Sequence, residues 1–109
     1  MFKLAEEPTF RHTVTAKVPV DGGFEDQKFE ATFRAIGMDE AEGFDMMDAT
    51  SVKAFLARII VELHDIGDVE GQALEYSDKV RDQVTRLPWA RKAIVKAYFA
   101  ALNGAKEGN

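Results

Sequence analysis

Two stretches near the N-terminus alternate between apolar and polar positions, which is the pattern of half-buried strands. The first covers residues 10–20 and places these side chains on one face: Phe10, His12, Val14, Ala16, Val18 and Val20. The second covers residues 28–35 and places these on one face: Phe29, Ala31, Phe33 and Ala35. Asp21-Gly22-Gly23 separates the stretches, and glycine supplies the backbone freedom that a turn needs. The pattern predicts an antiparallel hairpin with one apolar face.

Helical periodicity dominates the rest of the chain. Residues 51–63 carry the i, i+3, i+4, i+7, i+8, i+11 series of an amphipathic helix: Val52, Phe55, Leu56, Ile59, Ile60 and Leu63. Asp48, Thr50 and Ser51 are the candidates for its N-cap. This helix is expected to cover the apolar face of the hairpin.

Three further helices are predicted from their end signals. A short one over residues 38–42 has Asp39 as cap and Glu42 at the capping-box position. A second follows Ser77, and the last runs over about residues 89–103, after Pro88 and before Gly104. Residues 73–76 fit a short strand that could pair with residues 66–69, so the pattern also allows a second short hairpin.

These elements predict an α+β fold: an N-terminal antiparallel β-hairpin packed against a bundle of three to four helices. A chain of 109 residues points to a single domain over residues 1–109. Its ends, residues 1–9 and 105–109, are expected to fray.

The charge distribution argues against nucleic acid as a partner. The net charge is −5, and residues 1–78 hold 7 basic and 17 acidic side chains, against 7 and 2 in residues 79–109. The basic side chains of the last two helices are expected to complement helix C-termini and to pair with the acidic body. The longest apolar run, residues 97–102, is far short of the ~20 residues that span a bilayer, so no membrane association is expected.

The sequence offers no catalytic, metal-binding or cofactor-binding constellation. Cysteine is absent, and Ser51 and Ser77 lie outside any nucleophile motif. His12 and His64 have no metal-ligand spacing, and the acidic segments around Gly43 and Gly71 fail the EF-hand register. We therefore expect no enzyme activity, no metal and no cofactor.

Large apolar side chains that do not fit one core face remain as candidates for partner binding. They are Met46, Met47, Trp89, Val95 and Phe99. On the last helix, one face carries Ala90, Ala93, Ile94, Ala97, Tyr98, Ala101 and Leu102, and Val95 and Phe99 form a second apolar face. Methionine and aromatic residues are common in adaptable interfaces, although plain core packing explains them equally well.

The order of the elements resembles that of a known protein family. The segments that carry the resemblance are Phe29–Arg34, Met38–Glu42, Ile59–Leu63, Asp68–Ser77 and Ala93–Leu102. Over about residues 10–103, the chain resembles the small tail assembly chaperones of long-tailed bacteriophages and prophages.

The resemblance implies a non-enzymatic protein of the host bacterial cytoplasm. Such chaperones bind the tape measure protein and help the tail tube to assemble around it, and some self-associate. The tape measure protein and the tail tube protein are thus the expected partners. The alternative is a structural component of the virion, such as a tail tube, tail completion or head–tail connector subunit.

Overall fold

A computed structural model describes residues 1–104, in which three strands and four helices form. In chain order these elements are β1 (Thr9–Val20), β2 (Gly23–Arg34), α1 (Met38–Glu42), α2 (Ala49–Ile59), β3 (Ile60–His64), α3 (Asp78–Thr85) and α4 (Pro88–Leu102). The predicted α+β class is confirmed. The predicted fraying of residues 105–109 lies outside the described residues.

The predicted hairpin is present, and its strands are longer than the alternating pattern indicated. β1 and β2 pair antiparallel along their whole length, from Thr9 opposite Arg34 to Val20 opposite Gly23. Gly22 has a φ of +79°, a left-handed conformation that glycine adopts without a Cβ clash. The alternation places Val14, Ala16, Phe29, Ala31 and Phe33 on the face that becomes buried.

The predicted helix over residues 51–63 is wrong in its second part. The helix ends at Ile59, and the next five residues form β3, which pairs antiparallel with β2 and completes a sheet of order β1-β2-β3. The β-branched run Ile59-Ile60-Val61 suits a strand, and the edge of β2 supplies the backbone partners. The i, i+3 spacing of Ile60 and Leu63 favoured a helix, and both are buried in β3 because the pairing with β2 has a register shift.

The core lies between one face of the sheet and the helices α2 and α4. Its members are Val14, Ala16, Phe29, Ala31, Phe33, Ile36, Val52, Phe55, Leu56, Ile59, Ile60, Leu63, Ile94, Ala97 and Tyr98. The ring of Tyr98 lies at the centre, with its centroid 5.3 Å from that of Phe33 and 5.7 Å from that of Phe55. Such ring pairs add a stabilisation of about 0.5–1.5 kcal/mol each to the burial of apolar area.

The end signals of the helices were predicted with mixed success. The side chains of Asp48 and Ser77 cap α2 and α3, and Pro88 opens α4, as expected. The capping box of α1 is wrong, because Gly37 is the N-cap residue and no side chain caps the helix. The second hairpin is reduced to a turn with one isolated bridge between Gly67 and Ala73.

The segment that precedes β1 is joined to the body by Arg58 of α2, although residues 1–9 were expected to fray. An Nη1 atom of Arg58 lies 2.9 Å from a carboxylate oxygen of Glu7, and the Nε and Nη2 atoms of the same side chain bind both oxygens of Glu40 in α1. The carbonyl of Pro8 also accepts a hydrogen bond from the amide of Ala35. One guanidinium therefore connects three segments of the chain.

The outer half of the hairpin extends beyond the core. Residues 19–28 are all exposed, while the inner half of β2 alternates between buried and half-buried positions. Two large apolar side chains, Val20 and Phe24, are 47% and 58% exposed near the turn. Lys17 covers one face of the Phe24 ring, with its Nζ atom 4.3 Å from the centroid.

Candidate partner-binding surface

Of the five predicted partner residues, Phe99 lies near the C-terminal end of α4, and two aromatic contacts connect it to the loop that carries Met46 and Met47. Phe99 is 39% exposed, and its ring stacks on that of Phe55 with centroids 5.9 Å apart. Phe55 in turn contacts Phe44, whose ring centroid is 5.4 Å away. Phe44 begins the loop that carries Met46 and Met47, so Phe55 connects this loop to Phe99. Met47 is 95% exposed.

Leu102 belongs to this surface, although the sequence analysis placed it on the core face of the helix. It is 46% exposed and lies at i+3 from Phe99. Val95 lies one turn before Phe99 but is half-buried against the core. The exposed set Met46, Met47, Phe99 and Leu102 is called the apolar surface below. The i, i+4, i+7 spacing of Val95, Phe99 and Leu102 is the signal that would have identified it.

Trp89 lies apart from the apolar surface. Ten residues separate it from Phe99 along α4, which is about 15 Å at the rise of an α-helix. Its ring is half-buried against the core and lines an open cleft of about 400 Å³ with Lys17 of β1 and with Lys92 and Lys96 of α4. Trp89 and Phe99 therefore lie at separate places along α4.

A second cleft, of about 570 Å³, lies where α2, α3 and the start of α4 meet. Four basic side chains line it, and we call it the cationic cleft: Lys53, Lys79, Arg86 and Arg91. The carboxylate that lines it, Asp82, is already bound by the guanidinium of Arg81 at 3.1 Å. The Nε atom of Arg91 donates to the carbonyl of Thr85 at 2.8 Å, which orients that side chain.

The cationic cleft contradicts the expectation that the basic helices are neutralised within the chain. Among residues 79–104, Arg81 forms ion pairs, with Asp78 and Asp82, and the other cations form none within the described part of the chain. Neither α3 nor α4 has a basic residue in its last turn, where the helix macrodipole would favour one. The sequence did not reveal this cleft, because its residues come from three helices.

A polar network on the open face of the sheet has the connectivity of a hydrolase triad. The Oγ1 atom of Thr32 lies 2.7 Å from the Nε2 atom of His64, whose Nδ1 atom is 3.3 Å from a carboxylate oxygen of Glu62. Thr32 lies on β2, the central strand, so the backbone N–H groups around it are directed at the neighbouring strands β1 and β3. They are not arranged to donate hydrogen bonds to an oxyanion, as a hydrolase would require. Neither of the two clefts described above is lined by these residues. The network therefore ties the edge strand β3 to β2.

The described residues form neither a metal-binding cluster nor a membrane-spanning helix. No group of three or more histidine and acidic side chains within residues 1–104 is arranged to hold a metal ion. In the same part of the chain, no helix has the length and apolar character needed to cross a bilayer.

Comparison of the chain with protein-family models, curated proteins and solved structures finds no match in any of the three. The surfaces described above are therefore the features of the protein that bear on its function.

Proposed function

We propose that the protein is a non-enzymatic assembly chaperone of the kind made by long-tailed bacteriophages and prophages. It binds an amphipathic segment of the tape measure protein in the host cytoplasm and keeps that segment from aggregating while the tail tube forms. Binding to the tail tube protein and self-association belong to the same proposal.

The observation that carries the proposal is the apolar surface at the end of α4. Phe99 and Leu102 are large, lie one turn apart on α4 and are about two-fifths exposed, and the stack on Phe55 holds the Phe99 ring in place. Exposed apolar groups of this kind in a small protein usually mark a site of protein–protein contact. The flexible side chains of Met46 and Met47 suit a client whose sequence varies along its length.

Co-purification with the tape measure protein encoded beside this chain tests the proposal. We expect the wild-type protein to retain the client, and Phe99→Ser with Leu102→Ser to retain less than about a tenth as much. The matched control is Val20→Ser with Phe24→Ser, which also removes one aliphatic and one aromatic side chain of similar exposure. Equal retention by the two double variants, both folded by circular dichroism, would contradict the proposal.

A structural role in the particle is the second candidate. The outer half of the hairpin favours it, because an exposed two-stranded arm with Val20 and Phe24 near its turn is suited to contacts between subunits. Mass spectrometry of purified particles separates the two candidates. The chain is present in stoichiometric amounts if it is structural, and it is absent if it is a chaperone.

A further inference from the structure

The cationic cleft is an anomaly in a protein whose net charge is −5. Four basic side chains from three helices line one cleft of about 570 Å³, and none of them forms an ion pair within residues 1–104. Like charges that share a cleft repel one another, which lowers the stability of the folded protein. Of the acidic side chains in residues 1–104, only Asp82 lines the cleft, and it is bound by Arg81 instead of by any of these four cations.

Helix dipoles do not explain the arrangement. Arg86 is the C-cap residue of α3, where a positive charge is favourable. Lys79 and Arg91, however, lie in the first turns of α3 and α4, where the macrodipole disfavours a positive charge. The hydrogen bond from Arg91 to the carbonyl of Thr85 holds one guanidinium in place with its remaining N–H groups free to donate. The cleft is thus prepared for an external anion.

We infer that the cationic cleft binds a short run of Asp and Glu side chains on an amphipathic helix of the partner. The carboxylates accept hydrogen bonds from Arg86 and Arg91 and are attracted by the ammonium groups of Lys53 and Lys79. This inference rests on the proposed function, because it specifies which part of the client binds beside the apolar surface.

The position of the cleft on α4 favours a polypeptide over a nucleic acid. Arg91, Val95 and Phe99 follow one another at i, i+4 and i+8, so the cleft and the apolar surface lie about 12 Å apart along one stripe of the helix. A partner helix with acidic residues at one end and apolar residues two turns away meets both. A long polyanion would instead encounter the acidic residues that dominate the rest of the chain.

Synthetic helical peptides of about five turns test the inference directly. One carries Leu along a stripe and four Glu at one end, and its matched peptide has Gln in place of those Glu. Fluorescence anisotropy measures the affinity of each peptide for three proteins. They are the wild type, the double variant Lys79→Glu with Arg86→Glu, and the control double variant Lys3→Glu with Lys28→Glu. Both double variants change the net charge equally and replace exposed side chains.

The Glu peptide is expected to bind the wild type about tenfold more tightly than the Gln peptide does at low salt. The Lys79/Arg86 variant is expected to bind the two peptides equally, and the control variant to keep the affinity ratio of the wild type within about twofold. The ratio should also fall to one near 1 M salt, where the Debye length is about 3 Å. Equal losses in the two variants, or equal binding of the two peptides, would overturn the inference. Lys79→Gln with Arg86→Gln, which adds no repulsion, should give an intermediate affinity.

Two further outcomes assign the cleft to another occupant. Tighter binding of a single-stranded oligonucleotide than of the Glu peptide, abolished by the Lys79/Arg86 variant, overturns the polypeptide assignment. Self-association in sedimentation experiments that the same variant abolishes assigns the cleft to a second copy of the chain and likewise overturns it.

The experiment separates this inference from the proposed function. If the tape measure protein is retained equally by the wild type and the Lys79/Arg86 variant, the inference fails while the proposed function stands. If the wild type does not retain that client but distinguishes the two peptides through Lys79 and Arg86, the proposed function fails and the cleft remains a site for carboxylates.

Discussion

Tyr98 connects the hydrophobic core to the backbone at the end of β2. Its side chain is 1% exposed, and its hydroxyl accepts a hydrogen bond from the buried amide of Ile36 at 3.1 Å. Tyr98→Phe keeps the ring contacts but leaves that amide without a partner. We therefore expect the free energy of unfolding to fall by about 1–3 kcal/mol in urea titrations.

Tyr76→Phe is the control for the loss of a hydroxyl. Tyr76 is half-buried, burial raises the pKa of its hydroxyl, and that hydroxyl makes no hydrogen bond within the described residues. Its replacement is expected to change the free energy of unfolding by less than about 0.5 kcal/mol. Similar losses in the two variants would show that the hydrogen bond to Ile36 is not the cause.

At the scale of the elements, the clamp made by Arg58 predicts a dependence of stability on pH. The hydrogen bond from Arg58 holds the pKa of Glu7 below its ordinary value of 4.5. A carboxyl group whose pKa is lowered on folding stabilises the folded state at pH values above 4.5, and this stabilisation is lost as the pH falls through the lower folded pKa. The connection between the N-terminal segment and α2 is thus expected to weaken in acid.

Urea midpoints measured from neutral pH into this acidic range check the expectation. The midpoint of the wild type should decline more steeply than that of Glu7→Gln, which has no carboxyl group to protonate. Glu6→Gln is the matched control, because Glu6 forms no ion pair within residues 1–104, and its profile should follow the wild type. Parallel profiles for the wild type and Glu7→Gln would contradict this role of the clamp.

At the scale of the whole molecule, the outer hairpin adds little to the stability of the fold. Deleting Pro19, Val20, Gly23 and Phe24 keeps the Asp21-Gly22 turn and brings the paired residues Val18 and Glu25 next to it. Because the deleted residues are exposed, we expect the Tm to change by only a few degrees. Val14→Ala, at a fully buried position of the same strand, should cost about 2 kcal/mol.

A Tm loss from the deletion as large as that of Val14→Ala would contradict this view of the hairpin. If the shortened protein folds normally and still retains the client, while particles assembled with it are normal, the hairpin is also unnecessary for assembly. Defective particles with normal client binding would instead favour the structural role.

The sequence by itself determined the strands, turns and helix ends that depend only on residues close together in the chain. The alternation in β1 and β2, the turn at Gly22, the caps Asp48 and Ser77 and the start of α4 at Pro88 are all of this kind. Each depends on a backbone preference or a hydrogen bond that spans at most a few residues, so the one-dimensional pattern was sufficient.

Tertiary structure alone decided the features that depend on distant residues. Ile60 and Leu63 have the i, i+3 spacing of a helix, yet the free edge of β2 selected a strand, in which a register shift at Thr32 and Phe33 lets both be buried. The sequence predicts Phe99 as a partner residue, but only the stack on Phe55 shows which side of its ring is covered. Lys53 belongs to the acidic part of the sequence and yet completes the cationic cleft, because packing brings three helices together.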